Sequence, residues 1–262
     1  MSSAQFFAQA WGGGPVLPAA CAGATLVYWL RFRRRARWPY FLAAVGVVLL
    51  ALASPIAALA AGALFSAHMV QHLFLLLAAP ALLLLSLPGE TTLPRSAGVL
   101  SHPLLTWSLG VAPMWIWHVP ALCDAATVRP SIKAVQVVSM LAMGALFWWP
   151  ILAPRARDRL QPLLGVVYLF AACLGCTALG MILTLTPVEV CTVFRNPVAP
   201  AATASLVRDT WGVSAETDRQ IGGLLMWVPM CLVYVAAILV ELRRWFGDHE
   251  LEPARIAPEV RR

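Results

Sequence analysis

The sequence predicts an all-α membrane protein, a bundle of seven transmembrane helices with its N-terminus outside and its C-terminus cytoplasmic. Three observations predict it. Of 262 residues, 60% are hydrophobic and only 12% charged, with a mean hydropathy of +0.77, more apolar surface than a soluble domain of this size can cover. Seven mostly apolar runs each approach the roughly 20 residues that a helix rising about 1.5 Å per residue needs to cross a hydrocarbon core about 30 Å thick. The basic side chains, finally, cluster in alternate connections, as the positive-inside rule requires.

The runs fall at 15–31, 39–58, 64–87, 103–121, 132–152, 162–186 and 220–241. The first lacks a preceding basic residue and a following small-residue cleavage site, and Arg31, Arg33, Arg34, Arg35 and Arg37 come after it. It reads as an anchor inserted with its N-terminus outside. The same side then receives Arg95, the Arg155, Arg157 and Arg159 connection, and a tail with Arg243, Arg244, Arg255, Arg261 and Arg262. The opposite side holds Arg129, Lys133, Arg195, Arg208 and Arg219. A net charge of +7 thus expresses topology and contact with anionic lipid, and no nucleic-acid module is present. Residues 1–246 form a single seven-helix domain, and 247–262 a flexible cytoplasmic tail. Pro80, Pro113 and Pro229 lie inside helices, so kinks are expected where the carbonyls of Leu76, Leu109 and Leu225 lose their partners. The outer segment 187–219 is long enough to be a lid or a disordered loop.

Three of the five histidines carry the chemical signal. His68 and His72 are four residues apart, about 400° of helical turn, and so share one face of the third span. Polar groups at this depth are expensive unless partnered, which makes a functional site the default reading; the competing reading has both rings, with Gln71, merely tying helices together. The third span runs inward and the fourth outward, so His118, late in the fourth, lies at the same level, each about 6 Å inside the rim. Alone, His118 could equally belong to an interfacial belt with Trp115 and Trp117. Met114, Cys123, Asp124, Glu189, Cys191, Met226 and Met230 are further donors near this plane. Imidazole with thioether and thiolate favours copper, above all Cu(I), over hard cations, although Met226 and Met230 are more often packing residues. Cys123 and Cys191 could as well form a disulfide or remain free. Cys173 and Cys176 form a mid-membrane Cys-x-x-Cys that lacks the further ligands zinc needs. Asp218, in Glu216-Thr217-Asp218-Arg219-Gln220, suits the N-terminus of its own helix, where Thr217 and Gln220 have capping-box spacing. His102 and His249 are expected to be solvated.

Several stretches together resemble the multi-span CtaG family of cytochrome c oxidase assembly factors, the type associated with caa-type oxidases. They are His68-Met-Val-Gln-His72 running to Ala-Ala-Pro80, Trp115-Ile-Trp-His118-Val-Pro-Ala-Leu-Cys-Asp124, Gly144-Ala-Leu-Phe-Trp-Trp-Pro150, and Asp218-Arg-Gln-Ile-Gly-Gly-Leu-Leu-Met-Trp-Val-Pro229. The resemblance implies a seven-helix protein of the bacterial cytoplasmic membrane that helps insert copper into a haem-copper oxidase, with His68, His72, His118 and Asp124 matching the family's polar motif positions. Many members carry a second histidine pair on the fifth helix before Phe-Trp-Trp-Pro. Here Lys133 and Val137 stand in those places, with Gln136 between them, so at most one centre is expected.

The expectation is therefore a non-enzymatic assembly factor. His68, His72 and His118 would bind a transient Cu(I), Met114 or Met226 would serve as an exchangeable ligand, and Asp124 would orient an imidazole. The partners would be an oxidase subunit, the lipid bilayer and a periplasmic copper donor. Two other readings stay open: a b-type haem subunit using His118 and a third-span histidine, and an oxidase-docking protein without metal.

Overall fold

The computed structural model describes residues 1–92, 102–186 and 190–256, with side chains to residue 247. Arg95, Glu189, Arg261 and Arg262, assigned roles above, lie outside the described residues, as do the side chains of His249 and Arg255. The described chain is all helical: α1 (Ser3–Gln9), α2 (Val16–Phe32), α3 (Trp38–Ala53), α4 (Pro55–Ala60), α5 (Phe65–His72), a π-helical turn (Leu73–Ala78), α6 (Ala79–Ser86), α7 (Pro103–Ile116), α8 (Pro120–Val128), α9 (Pro130–Leu152), a 3₁₀ turn (Ala156–Asp158), α10 (Pro162–Leu185), α11 (Thr192–Arg195), α12 (Ala201–Ser205), a second π turn (Leu206–Thr210) and α13 (Ala215–Ile256). Among the described residues, four helical stretches are long and apolar enough to cross a membrane: Phe65–Ser86, Pro130–Leu152, Pro162–Leu185 and Ala215–Gly247. Three more, α2, α3 and α7, are apolar but only 14 to 17 residues long.

The short ones differ from the runs read in the sequence for identifiable reasons. The second run breaks at Ser54, whose hydroxyl accepts from the Ile56 amide and starts α4 afresh with Pro55 at its first position. The fourth ends at Ile116, three residues after Pro113, and restarts at Pro120. This is what the two prolines demand, since neither can donate to the preceding turn. At the other extreme, α13 continues as a helix to Ile256, where the sequence suggested a flexible tail from residue 247.

Pro80 does not simply kink its helix. The turn before it widens to π-helix, and the freed Leu76 carbonyl is directed at Gly144 of α9, where a Cβ would lie 2.3 Å from that oxygen. The Gly144 position thus lets two spans approach closely at the end of the histidine-bearing turn.

Two ends of the bundle are distinct. At one, Arg35 pairs with Glu90 and Arg155 donates to the Glu90 carbonyl, which brings two of the arginine-bearing connections together on one side. At the other, α1, α4 and residues 190–214 pack together. Phe6, Leu59, Ala60, Ala63, Ala67, Leu206 and Val207 form a small buried core there, and the Trp211 indole donates to Ser3. Residues 190–214 therefore form a packed cover over the histidine end.

Candidate metal centre

The first half of the third run is α5, and its start is held from elsewhere. Leu64, at the N-cap, offers no side-chain cap. The buried amides of Phe65 and Ser66, free of intrahelical partners, instead donate to the two oxygens of Asp218, at 2.7 and 2.9 Å. A carboxylate there satisfies two of the four orphan N–H groups and opposes the positive end of the helix dipole. Asp218 is buried, and Arg208 stands 3.9 Å from it. The sequence placed Asp218 at its own helix start; that duty belongs to Ser214, whose hydroxyl accepts from the Thr217 amide. Next to Asp218, Arg219 donates to the carbonyls of Leu183, Thr184 and Thr186 at the end of α10. A single Asp-Arg pair on α13 thereby caps two neighbouring helices of opposite polarity. Gly222, one turn on, leaves room for Phe65, which a Cβ would approach to 2.4 Å.

So positioned, α5 turns His68 and His72 into the bundle, with 0% and 1% of their surfaces exposed. Their ring centroids are 4.4 Å apart, and His118 stands 5.2 Å from His72, edge to face. His118 occupies the break between α7 and α8 and is also buried. The Trp117 beside it is buried as well and donates to Ser139 of α9, so this segment is turned into the protein, while Trp115 stays exposed. The three imidazoles thus meet, as the antiparallel arrangement of the third and fourth runs predicts.

Their hydrogen bonding is informative. His118 Nδ1 contacts the Met114 carbonyl, which can only accept, so that nitrogen carries the proton and the Nε2 lone pair is left free. Nε2 is directed at the Met69 sulfur, 3.3 Å away. Both ring nitrogens of His68 and of His72 have no hydrogen-bond partner. These are four of the nine buried side-chain nitrogen and oxygen atoms so left among the described residues, and the other five are scattered one to a residue. An orphaned buried polar group costs about 1–3 kcal/mol, so four in one place make this the most costly polar cluster of the described residues, and nitrogen with thioether sulfur is a donor set that could hold copper. The three imidazoles stand in a loose array. The group of three metal-ligating residues whose donor atoms all lie within 4.8 Å of one another, among the described residues, is a different one: Cys173, Cys176 and Cys231.

The remaining candidates take other positions. Gln71 is no ligand: its amide donates to the Ala51 carbonyl and accepts from Lys133, whose ammonium also reaches Gln136. The Lys133 position thus contributes a polar tie between α9 and α5. Met114 contributes its carbonyl. Met226 is fully buried, as is Met230, in the same core as Met69 and Met114. Cys123 is joined to Cys191 in a disulfide, so neither sulfur is a thiolate ligand. Asp124 spends its carboxylate on the Thr192 hydroxyl and the Val193 amide instead of orienting an imidazole. These two corrections share a physical cause. Cys123 and Asp124 both bind residues 191–193, and together with Arg208, which donates to the Phe194 carbonyl, they seat the Phe194 ring 5.5 Å from both Phe65 and His68. Phe194 thus sits over His68 in the position of a lid. A cavity of about 30 Å³ borders it, lined in part by Phe65, Arg195 and Arg219.

Met69, like Phe194, is a site residue that sequence reasoning missed. It lies between the two histidines, and the third span's pattern offered no sign that residue 69 and not 114 would present its sulfur to His118.

Fold and site together define a helix-bundle protein with apolar, membrane-length helices and an imidazole cluster buried beneath one end. The chain belongs to the cytochrome c oxidase caa3 assembly factor family (Caa3_CtaG), which it matches over residues 24–248, so the resemblance read from the motifs holds for almost its whole length. An uncharacterised protein of Mycobacterium leprae (strain TN) is 24% identical over 215 residues, 72% of this chain and 31% of that relative. The chain thus spans under a third of the length of the curated relative it matches. No solved structure matches it.

Proposed function

We propose that this chain is a seven-span protein of the bacterial cytoplasmic membrane, N-terminus outside, that holds copper transiently at His68, His72 and His118 and passes it to a subunit of a haem-copper oxidase. Family membership supports the assembly role. The observation that carries the copper reading is the set of four unpartnered imidazole nitrogens beside the His118 Nε2 and the Met69 sulfur. Copper here is cargo, received from a periplasmic donor. No substrate bond is broken, so the chain acts without being an enzyme. Three imidazoles in loose array with a thioether give modest affinity and an exchangeable position, which transfer requires. The charge distribution supports the orientation: the arginine end would face the cytoplasm and the histidine end the periplasm.

The haem reading is disfavoured by packing. The His118 and His72 rings touch edge to face at 5.2 Å, without space for a macrocycle between them, and His68 and His72 leave the same helix face.

The test is metal analysis of the purified protein beside the triple variant H68A, H72A and H118A, with an optical spectrum of each. Cu(I) bound by the wild type and lost from the variant is expected. A Soret band with stoichiometric haem, or equal copper in both proteins, overturns the reading.

A further inference from the structure

We propose a second soft-metal site, built from Cys173 and Cys176 of α10 with Cys231 of α13, that takes one Cu(I) ion or an ion of the same class such as Ag(I). It is independent of the histidine reading. The Cys231 sulfur lies 2.7 Å from that of Cys173 and 3.6 Å from that of Cys176, and the three donors all fall within 4.8 Å of one another. None is in a disulfide, and Cys176 is fully buried.

Helix geometry explains the convergence. α10 and α13 are the most extensively packed pair in the bundle, and they approach closely where Gly180 accepts the Trp227 ring, at a position where a Cβ would be 2.2 Å away. In an antiparallel pair, one turn before Gly180 is Cys176 and one turn after Trp227 is Cys231, so these two sulfurs must face each other. Cys173, three residues earlier on α10, shares that face.

Thiolate–metal bonds of about 2.3 Å around a trigonal ion set sulfurs about 4.0 Å apart. The Cys231 sulfur lies about 1.3 Å closer than that to Cys173 and about 0.4 Å closer to Cys176, so a change of rotamer at Cys173 or Cys231 must open the triangle to admit the ion. Thiolates select soft cations. Cu(I) accepts three ligands, whereas zinc almost always demands four, and the further polar groups beside the sulfurs are neutral: the Cys173 carbonyl, 3.2 Å from the Cys176 sulfur, and the Thr177 hydroxyl, 3.3 Å from the Cys231 sulfur. That hydroxyl is placed to donate to a thiolate. Binding exchanges protons for the cation: each thiol that becomes a ligand releases its proton to solvent, and no electron moves. The site lies about halfway along α10 and about 7.5 Å further along α13 than Met226. It therefore lies deeper than the histidines and is shielded from oxidants at the periplasmic face.

The experiment titrates detergent-solubilised full-length protein with Cu(I) against a competing chelator, using wild type, the C173S, C176S and C231S triple variant, and the H68A, H72A and H118A variant. The wild type and the histidine variant are expected to show a thiolate-to-copper charge-transfer band and sulfur scattering in X-ray absorption. The serine variant, monodisperse and with unchanged helicity, is expected to lose both, along with one equivalent of copper. The single variant C231A, which keeps the α10 pair, should also lose the band. Should the histidine reading fail, the histidine variant keeps all wild-type copper while the serine variant still loses its equivalent. Unchanged copper in the serine variant, or a Cys173–Cys231 disulfide in protein purified without reductant, overturns the proposal.

Discussion

The histidine and cysteine clusters share one bundle and are secured in opposite ways. The histidines are held by a device at each border: a carboxylate caps the start of their helix, a π turn follows it, a helix break carries the third ring, and a disulfide-anchored aromatic covers them. The cysteines lie within two long helices and rest on the contact of those helices at Gly180. A site at the end of a bundle must be organised by caps and loops, which can open. One at its middle is organised by packing density alone, which cannot open without separating helices. On the two proposed readings, the histidine end would exchange an ion and the cysteine middle would retain one.

The largest effect should come from removing the histidines in cells. The H68A and H72A double variant is expected to reduce oxidase copper content and activity to the level of a strain lacking the protein, while C173S leaves assembly measurably intact. Untouched oxidase in the histidine variant would leave only a docking role and erase the distinction between the clusters.

Next is the covalent tether. Removing the Cys123–Cys191 link, which closes a loop of 68 residues, with C123S and C191S releases the denatured chain from a constraint worth about 4 kcal/mol. The thermal midpoint should fall. Because the link anchors the lid, copper exchange at the histidines should speed up while the cysteine site is unchanged. Equal exchange rates with and without the link would show that Phe194 is not a lid.

Replacing the remote cap comes third. In D218N one carboxylate oxygen becomes an amide that faces a backbone N–H donor, leaving that donor unpaired at a cost of about 2 kcal/mol. Hydrogen exchange should rise at the Phe65 and Ser66 amides and remain unaltered along α10 around the cysteines. Protection that is lost evenly across the bundle would mean that Asp218 stabilises the fold at large and not the histidine helix.

The two regions also differ in how far they could be read without coordinates. His68 and His72 declare themselves because their relation is local, a single helical turn, and the level of His118 follows from counting residues along opposed spans. Helix existence was legible for the same reason, since apolar length is a local property. The breaks at Ser54 and at residues 117–119 were less so, because a proline signals strain but not whether the helix bends or restarts. Cys231 could not be joined to the Cys-x-x-Cys, since it lies 55 residues beyond Cys176 and their meeting depends on the register of α10 against α13. Asp218 misled for a related reason: capping by a residue 153 positions away leaves no local pattern, whereas a neighbouring Thr and Gln at the expected spacing offered a false one. Asp124 and Cys123 looked like ligands because they follow His118 closely, yet α8 turns them toward residues 191–193.

Met69 permits the finest distinction. Its sulfur meets the unprotonated nitrogen of His118, and leucine has nearly the same volume, so M69L should cost less than about 1.5 kcal/mol of stability. If the thioether is a copper ligand, M69L weakens Cu(I) binding at the histidines by roughly tenfold, about 1.4 kcal/mol, without affecting the charge-transfer band assigned to the cysteines. If it is only packing, affinity stays at the wild-type value and the first site is all nitrogen. An all-nitrogen site would relax the preference for Cu(I) over Cu(II), because selection for the reduced ion rests on soft sulfur. Measuring both oxidation states against M69L therefore decides whether the two clusters share one ionic preference or divide between them the ion's two forms.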